Sequence, residues 1–210
     1  ASLPAGASGR PGTGKCVRGN TEVTLADGRG VEIGKLVESQ LTDPIPIDDG
    51  VFQEIDIPVP SLDHDGSLTT RSATKVWKRE APEKMYRIRT AKGSEIEVTP
   101  SHPLFVPDDG GFRATRAEDL AEGDRVAAPL ASWTEIASQP GTSGIPDGGV
   151  VVNCGQIQDS RKRPPADEEA GCQKDEGRDG SDIRWEEITS IVEVRPDYDW
   201  VYDLEVAGTH

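Results

Sequence analysis

The chain has 210 residues, with 38 acidic against 23 basic side chains and a formal net charge of −15. That sign excludes a nucleic-acid surface, which needs clustered Lys and Arg to meet phosphates. Only 34% of residues are hydrophobic, the apolar runs are far too short to span a membrane, and 23 Gly and 16 Pro favour turns and loops.

The chain opens on Gly9-Arg10-Pro11-Gly12-Thr13-Gly14-Lys15, which has the glycines and lysine of a phosphate-binding loop. Such a loop needs a hydroxyl after the lysine to ligate magnesium, and Cys16 stands there instead. The preceding residues also lack the apolar strand that should lead into such a loop. Nucleotide binding is therefore not expected, and residues 1–15 read as the remnant of an interrupted ATPase with a leading tag. The apolar runs after Cys16 are short and β-branched, which favours strands over long helices.

Glu22 to Leu25 alternates like a strand, Ala26-Asp27-Gly28-Arg29-Gly30 supplies a turn, and Val31 to Val37 reads as a short helix. Residues 39–58 carry several Asp and Pro and read as a loop with extended pieces. Strands are expected around Val59 to Leu62, Thr70 to Lys78, Met85 to Thr90 and Glu95 to Thr99, with Lys92-Gly93 as a hairpin turn. Phe105-Val106, Phe112 to Thr115 and Arg125 to Ala128 continue the β pattern, with a helical turn near Ala117 to Leu120. Residues 131–183 are rich in Gly, Pro, Asp and Glu and poor in apolar side chains. Such a stretch cannot bury enough surface to offset its ordering entropy, and reads as a flexible acidic linker. Trp185 to Val194 and Asp199 to Val206 are two further strands.

The acidic surplus is uneven: 20 Asp and 18 Glu face 15 Arg and only 8 Lys. An Asp-rich, Lys-poor balance resembles proteins of salt-loving archaea, and implies folding that improves with ionic strength as self-repulsion is screened. The N-terminus lacks a charged-then-apolar signal pattern, so a soluble, cytoplasmic monomer is expected. Of three cysteines, Cys154 and Cys172 have neither a C-x-x-C spacing nor a nearby His, so no metal site and no cofactor are expected.

Three features call for one explanation: the isolated Cys16, the run Thr99-Pro100-Ser101-His102, and the ending Val201-Tyr202-Asp203-Leu204-Glu205-Val206-Ala207-Gly208-Thr209-His210. Together CVRGNTEVTLADGR, GSEIEVTPSHPLFV, RATRAEDLAEGDRVAAP and VYDLEVAGTH resemble, in order and spacing, the blocks of an intein of the Hint (hedgehog/intein) superfamily. The resemblance implies an all-β, horseshoe-shaped Hint fold over residues 16–130 and 184–210, interrupted by the acidic linker in place of an endonuclease. It implies that Cys16 attacks the Lys15 carbonyl and converts the Lys15–Cys16 peptide bond to a thioester. His102 then protonates the departing nitrogen, Thr99 holds and twists the same peptide, Asp203 tunes the thiol, and His210 assists the final cyclisation. The implied partners are the flanking host sequences. A complete intein continues with a strand ending in His-Asn and a following host nucleophile, so a short C-terminal peptide acting in trans is also expected.

Other readings stand beside this one. Cys16 reads equally as a small buried apolar residue, His102 as a strand cap, Asp203 as a turn carboxylate and His210 as an exposed chain end. His64, in Asp63-His64-Asp65-Gly66, lies outside every block and reads as a solvated turn residue. At the level of function, the alternatives are another Hint-type autoprocessing domain, a nucleotide-binding ATPase fragment, and a non-catalytic acidic binding domain. The phosphate-loop remnant favours a splicing element, with a replicative helicase or clamp-loader-type ATPase as host.

Overall fold

The structure is a computed structural model that describes residues 14–63, 66–129, 182–206 and the backbone of 151–152. In chain order the strands are β1 (Val17–Arg18), β2 (Glu22–Thr24), β3 (Gly30–Glu32), β4 (Ile45–Ile47), β5 (Gly50–Leu62), β6 (Leu68–Glu80) and β7 (Met85–Thr90). They continue with β8 (Glu95–Val98), β9 (Pro103–Asp108), β10 (Gly111–Arg116), β11 (Arg125–Pro129), β12 (Val151–Val152), β13 (Ile183–Val194) and β14 (Trp200–Val206). One helix, α1 (Ile33–Gln40), and a 3-10 turn at Ala117–Asp119 complete the described elements. The all-β expectation holds.

Nine strands form one antiparallel sheet in the order β11-β13-β7-β8-β1-β14-β6-β5-β4. The two-residue β1 lies at its centre, with Val17 opposite Val98 on one side and Tyr202 on the other. This places the residue before β1, Cys16, between the strand that leads into Thr99 and the strand that carries Asp203. Val17, Val76, Ile88, Val98, Ile188 and Tyr202 belong to the main core, while Cys16 packs with Met85 and Val201 in a smaller cluster. Non-local pairings dominate, as the strand order requires.

Local chemistry accounts for the approach to β1. The β2–β3 hairpin closes through Gly28, whose φ of 83° only glycine adopts freely, while Asp27 Oδ1 accepts the Arg29 amide at 3.0 Å. Helix α1 buries Ile33, Gly34 and Val37. A Cβ on Gly34 would stand 2.9 Å from the Gly19 carbonyl oxygen, so the helix reaches the turn after β1 only because residue 34 has no side chain. The Gly34 amide donates to that same oxygen at 2.9 Å.

Two readings differ from the sequence-based expectation. Residues 39–58 are not a loop: they contain the end of α1, β4 and most of the 13-residue β5. The prolines that argue against a strand are tolerated because β4 pairs with β5 only at Gly50, Val51 and Phe52, so among the described residues Pro58 and Pro60 lie beyond the β4 pairing. The long β5–β6 ribbon pairs Gly50 with Arg79 and Leu62 with Leu68, and it accommodates the crowded Asp and Pro residues with a bulge between Glu54 and Ile57. The helix expected over Val31 to Val37 begins two residues later, because Val31 is held as strand against Val23.

Two further departures fall in the segment read as linker. Ile183 is already the first residue of β13, and Asp182 accepts the Leu68 amide at 2.9 Å. Val151 and Val152 pair with Thr24 and Val23. The rest of the acidic insert, with Cys154 and Cys172, lies outside the described residues, as do His64 and His210. Among the described residues no helix is long and apolar enough to cross a membrane.

Candidate active site

Cys16 is fully buried at the start of β1, and its backbone is clasped by the residues that follow β8. The Thr99 amide donates to the Cys16 carbonyl at 2.9 Å, which extends the β1–β8 pairing by one residue. The fully buried Thr99 hydroxyl accepts the Cys16 amide at 3.1 Å. It also lies 2.8 Å from the Gly14 carbonyl and 3.2 Å from that of Cys16, and can donate its single hydrogen to either. Ser101 Oγ donates to the Gly14 carbonyl as well, at 3.2 Å. The peptide units on both sides of Lys15 are thus held from one side by two hydroxyls.

His102 completes the clasp. Its Nδ1 lies 2.7 Å from the Lys15 carbonyl oxygen, the oxygen of the peptide bond that joins Lys15 to Cys16. The contact is with the oxygen, while the nitrogen of that bond faces Thr99. Burial of the half-buried ring lowers the His102 pKa to about 4, with the positive charge of Lys15 adding to the effect and the hydrogen bond opposing it. The imidazole is therefore neutral near pH 7. A neutral ring facing a carbonyl oxygen carries its hydrogen on Nδ1 and donates it.

The turn that presents Thr99, Ser101 and His102 is braced from behind. The His102 amide donates to the Thr99 carbonyl at 3.0 Å, while the Ala117 and Glu118 amides donate to the His102 and Pro100 carbonyls at 2.9 and 3.0 Å. The 3-10 turn in RATRAEDLAEG is thus the scaffold of the loop that carries Thr99, Ser101 and His102. A second brace joins β1 to β8. Buried Glu97 accepts from Tyr198 Oη at 2.5 Å and Arg87 Nη2 at 3.1 Å, and pairs with Arg18 at 3.5 Å. Arg18 in turn lies over the Tyr198 ring, 4.9 Å from its centroid.

On the other side of Cys16 stands Asp203 of β14. Burial pushes its carboxyl up to about 7, against the lowering influence of the Leu204 amide, Lys15 and Arg79. The Leu204 amide donates to Asp203 Oδ1 at 2.9 Å. The Cys16 thiol is held far above its ordinary pKa, first by burial and then by the negative charge of Asp203; Asp49 adds to this and Arg79 opposes it. At neutral pH the thiol is protonated, and the adjacent carboxyl sits near the midpoint of its own titration. Asp203, when ionised, is a candidate acceptor for a proton leaving the sulfur.

The fold thus brings together Lys15, Cys16, Thr99, His102 and Asp203. Ser101, Arg79 and Asp49 also face this cluster and carry no distinguishing mark in the sequence beyond the position of Ser101 inside T-P-S-H. No group of three or more His, Cys, Asp or Glu side chains able to hold a metal ion occurs among the described residues.

Comparison with known proteins identifies the family and the fold. The sequence profile of the intein splicing domain family matches residues 23–210, a span that begins after Cys16. The chain is 37% identical over 126 residues to the replication factor C small subunit of Thermococcus kodakarensis, covering 58% of this chain and 14% of that protein. It is 29% identical over 205 residues to the DNA polymerase II large subunit of Halobacterium salinarum, covering 93% of this chain and 13% of that protein. This chain therefore spans only a small part of the length of these relatives. A crystal structure of the PabCDC21-1 intein is similar at 30% identity and a TM-score of 0.63, with 93% of this chain and 92% of that chain covered.

Proposed function

This chain belongs to the intein splicing domain family and is a protein-splicing element with the all-β Hint fold, and from that premise we propose that Cys16 begins splicing by an N-to-S acyl shift at Lys15. The observation that carries this reading is the enclosure of one peptide bond. His102 meets its oxygen, Thr99 meets its nitrogen, and the nucleophile supplied by the residue after the bond is buried beside a carboxyl of raised pKa.

The step balances as a relocation of one proton. Asp203, as carboxylate, takes the proton from Cys16 Sγ, and the sulfur forms a bond to the Lys15 carbonyl carbon. The carbonyl electrons move onto oxygen, where the His102 Nδ1–H stabilises the developing charge in a water-poor site. The bond from that carbon to the Cys16 nitrogen then breaks, and the nitrogen must gain a proton to leave as an amine. His102 passes its Nδ1 proton to that nitrogen as general acid, and the proton that Asp203 took from sulfur restores the imidazole through solvent, so one proton has moved from sulfur to nitrogen and both side chains end in their starting ionisation. Thr99 and Ser101 fix the Gly14 and Cys16 peptide groups and favour departure of the nitrogen over rotation of the segment.

Asp203→Asn separates these roles. The carboxyl must be ionised to accept the thiol proton, so the rate of N-terminal cleavage is expected to rise with pH through about 7 and to lose that step in the variant. Stability moves the other way. A buried carboxyl whose folded pKa is raised favours the folded state below its unfolded value, and that advantage is lost as pH rises toward about 7. Asp203→Asn is therefore expected to raise the melting temperature at about pH 8 by roughly 5 °C. An unchanged pH profile with an unchanged melt contradicts the role given to Asp203.

Joining the flanks requires a strand ending in His-Asn, and these 210 residues contain no such pair. An apolar groove of about 360 Å³ reaches His102 and is lined also by Leu104, Ile88, Ile96 and Val126, and its apolar walls support the reading that a further β-strand docks there. Supplied in trans as a short peptide ending in His-Asn followed by Ser, that strand is expected to give a product in which residues 1–15 are joined to the peptide's flank. His210 takes the role of assisting the Asn cyclisation. Thiol cleavage without any ligated product overturns the trans step and leaves the first step standing. The acidic surface fits a salt-rich archaeal cytoplasm, and the phosphate-loop remnant fits a replication ATPase of clamp-loader or helicase type as host.

A further inference from the structure

The site contains a charge to which neither the sequence motifs nor the acyl-shift mechanism assigns a task. Arg79, near the end of β6, sits opposite Val201 of β14 and Gly50 of β5. A methyl group placed on Gly14 would lie 3.7 Å from Arg79 Nε and 3.7 Å from Cys16 Sγ. The guanidinium and the sulfur therefore flank the same backbone position, at most twice that distance apart. Arg79 is only 18% exposed and pairs with Asp49 at 3.1 Å, and its guanidinium carbon lies 4.9 Å from the Trp77 ring centroid. Gly50 makes this seat possible. Its φ is +156° and a Cβ there would come within 2.1 Å of the Lys78 carbonyl, so a side chain would drive β5, and Asp49 with it, away from Arg79.

We propose that Arg79 is the electrostatic partner of the Cys16 thiolate: clamped by Asp49 and Trp77, it holds a fixed positive charge beside the sulfur, across Gly14, where negative charge forms. The inference rests on the assignment of Cys16 as nucleophile. The titratable groups around the sulfur are Asp203 on β14, Asp49 before β5, Tyr198 before β14, His102 on the clasping turn and Lys15 itself. Asp203 and Asp49 both disfavour the thiolate, and Arg79 opposes them. Burial strengthens the effect, because a charge pair with little intervening water is weakly screened. Arginine suits the position because it stays charged when desolvated, and its planar head stacks on an aromatic ring.

The test measures thiol-induced cleavage at Lys15–Cys16 in the full chain across about pH 6–9, for the wild type, Arg79→Lys and Arg79→Gln, with a thermal melt of each. The thiol is protonated across this range, so the barrier at every pH includes the cost of developing negative charge on sulfur, which the guanidinium lowers. Loss of the charge is therefore expected to slow Arg79→Gln about tenfold at every pH, the equivalent of one unit in the thiol pKa. Arg79→Lys, which keeps the charge, is expected to stay within about threefold of the wild type. Equal rates for Arg79→Gln and wild type overturn the proposal, as does Arg79→Lys cleaving as slowly as Arg79→Gln while both melt like the wild type. Should Arg79→Gln lose its cooperative melt, Gly14→Leu carries the same test. Its side chain enters the space between guanidinium and sulfur, a similar slowing is expected, and a wild-type rate there contradicts the inference. A wild type that does not cleave at all is a different failure, because it removes the nucleophile assignment on which Arg79 depends.

Discussion

Cys16→Ala is expected to abolish thiol-induced cleavage at the Lys15–Cys16 bond, and Cys16→Ser to reduce it to a trace. The argument is chemical. The bond is an ordinary amide until a neighbouring nucleophile opens it, and among the described residues Cys16 is the one free cysteine, fully buried and within the same peptide segment. Alanine has nothing to add to the Lys15 carbonyl. Serine keeps the geometry, but its hydroxyl is a far weaker acid than a thiol, and the site already resists ionisation by burial. The Ala variant is expected to fold normally, since its methyl occupies part of the space the thiol leaves against Met85 and Val201. Quantifying the 1–15 fragment by mass spectrometry after overnight exposure to thiol checks the result. Cleavage by the Ala variant at a rate near that of the wild type contradicts the assignment.

His102→Ala is expected to slow the same cleavage by about 10²- to 10⁴-fold, the usual reach of one positioned acid–base group. The ring donates to the Lys15 oxygen at 2.7 Å, and its low pKa keeps it neutral. In the proposed step it supplies a hydrogen bond that strengthens as charge builds on that oxygen, and then a proton for the nitrogen. Both contributions vanish together in the alanine variant, while the loop remains braced through backbone amides of residues 117 and 118. His102→Asn offers a donor without proton transfer. It is expected to fall between the two, and single-turnover rates measured by gel densitometry separate the three. An unchanged rate for His102→Ala removes His102 from the mechanism.

The loop that carries Thr99 and His102 was more legible in the sequence than the strands that frame it. Thr99 and His102 stand three residues apart after a strand with alternating apolar side chains, and the fold turns that spacing into two contacts on opposite ends of one peptide bond. Asp203 was legible as an acidic residue in an otherwise β-forming run, although its raised pKa depends on burial that no local pattern records. The β5 strand was hidden because its prolines and acids read as loop. They are compatible with pairing only through a bulge and a position beyond the β4 pairing. Arg79 was invisible for a different reason. It sits in a strand with several other basic residues, and its closeness to Cys16 arises from β14 lying between β6 and β1. The family resemblance directs His102 toward the departing nitrogen, whereas the fold places its Nδ1 against the carbonyl oxygen.

The most direct measurement is intact-mass analysis of the folded chain treated with a small thiol at neutral pH. The account predicts two species that grow together: residues 1–15 carrying the thiol as a C-terminal thioester, and residues 16–210 with a free amino-terminal cysteine. Persistence of the uncut 210-residue mass in a chain whose melt shows it folded would contradict it.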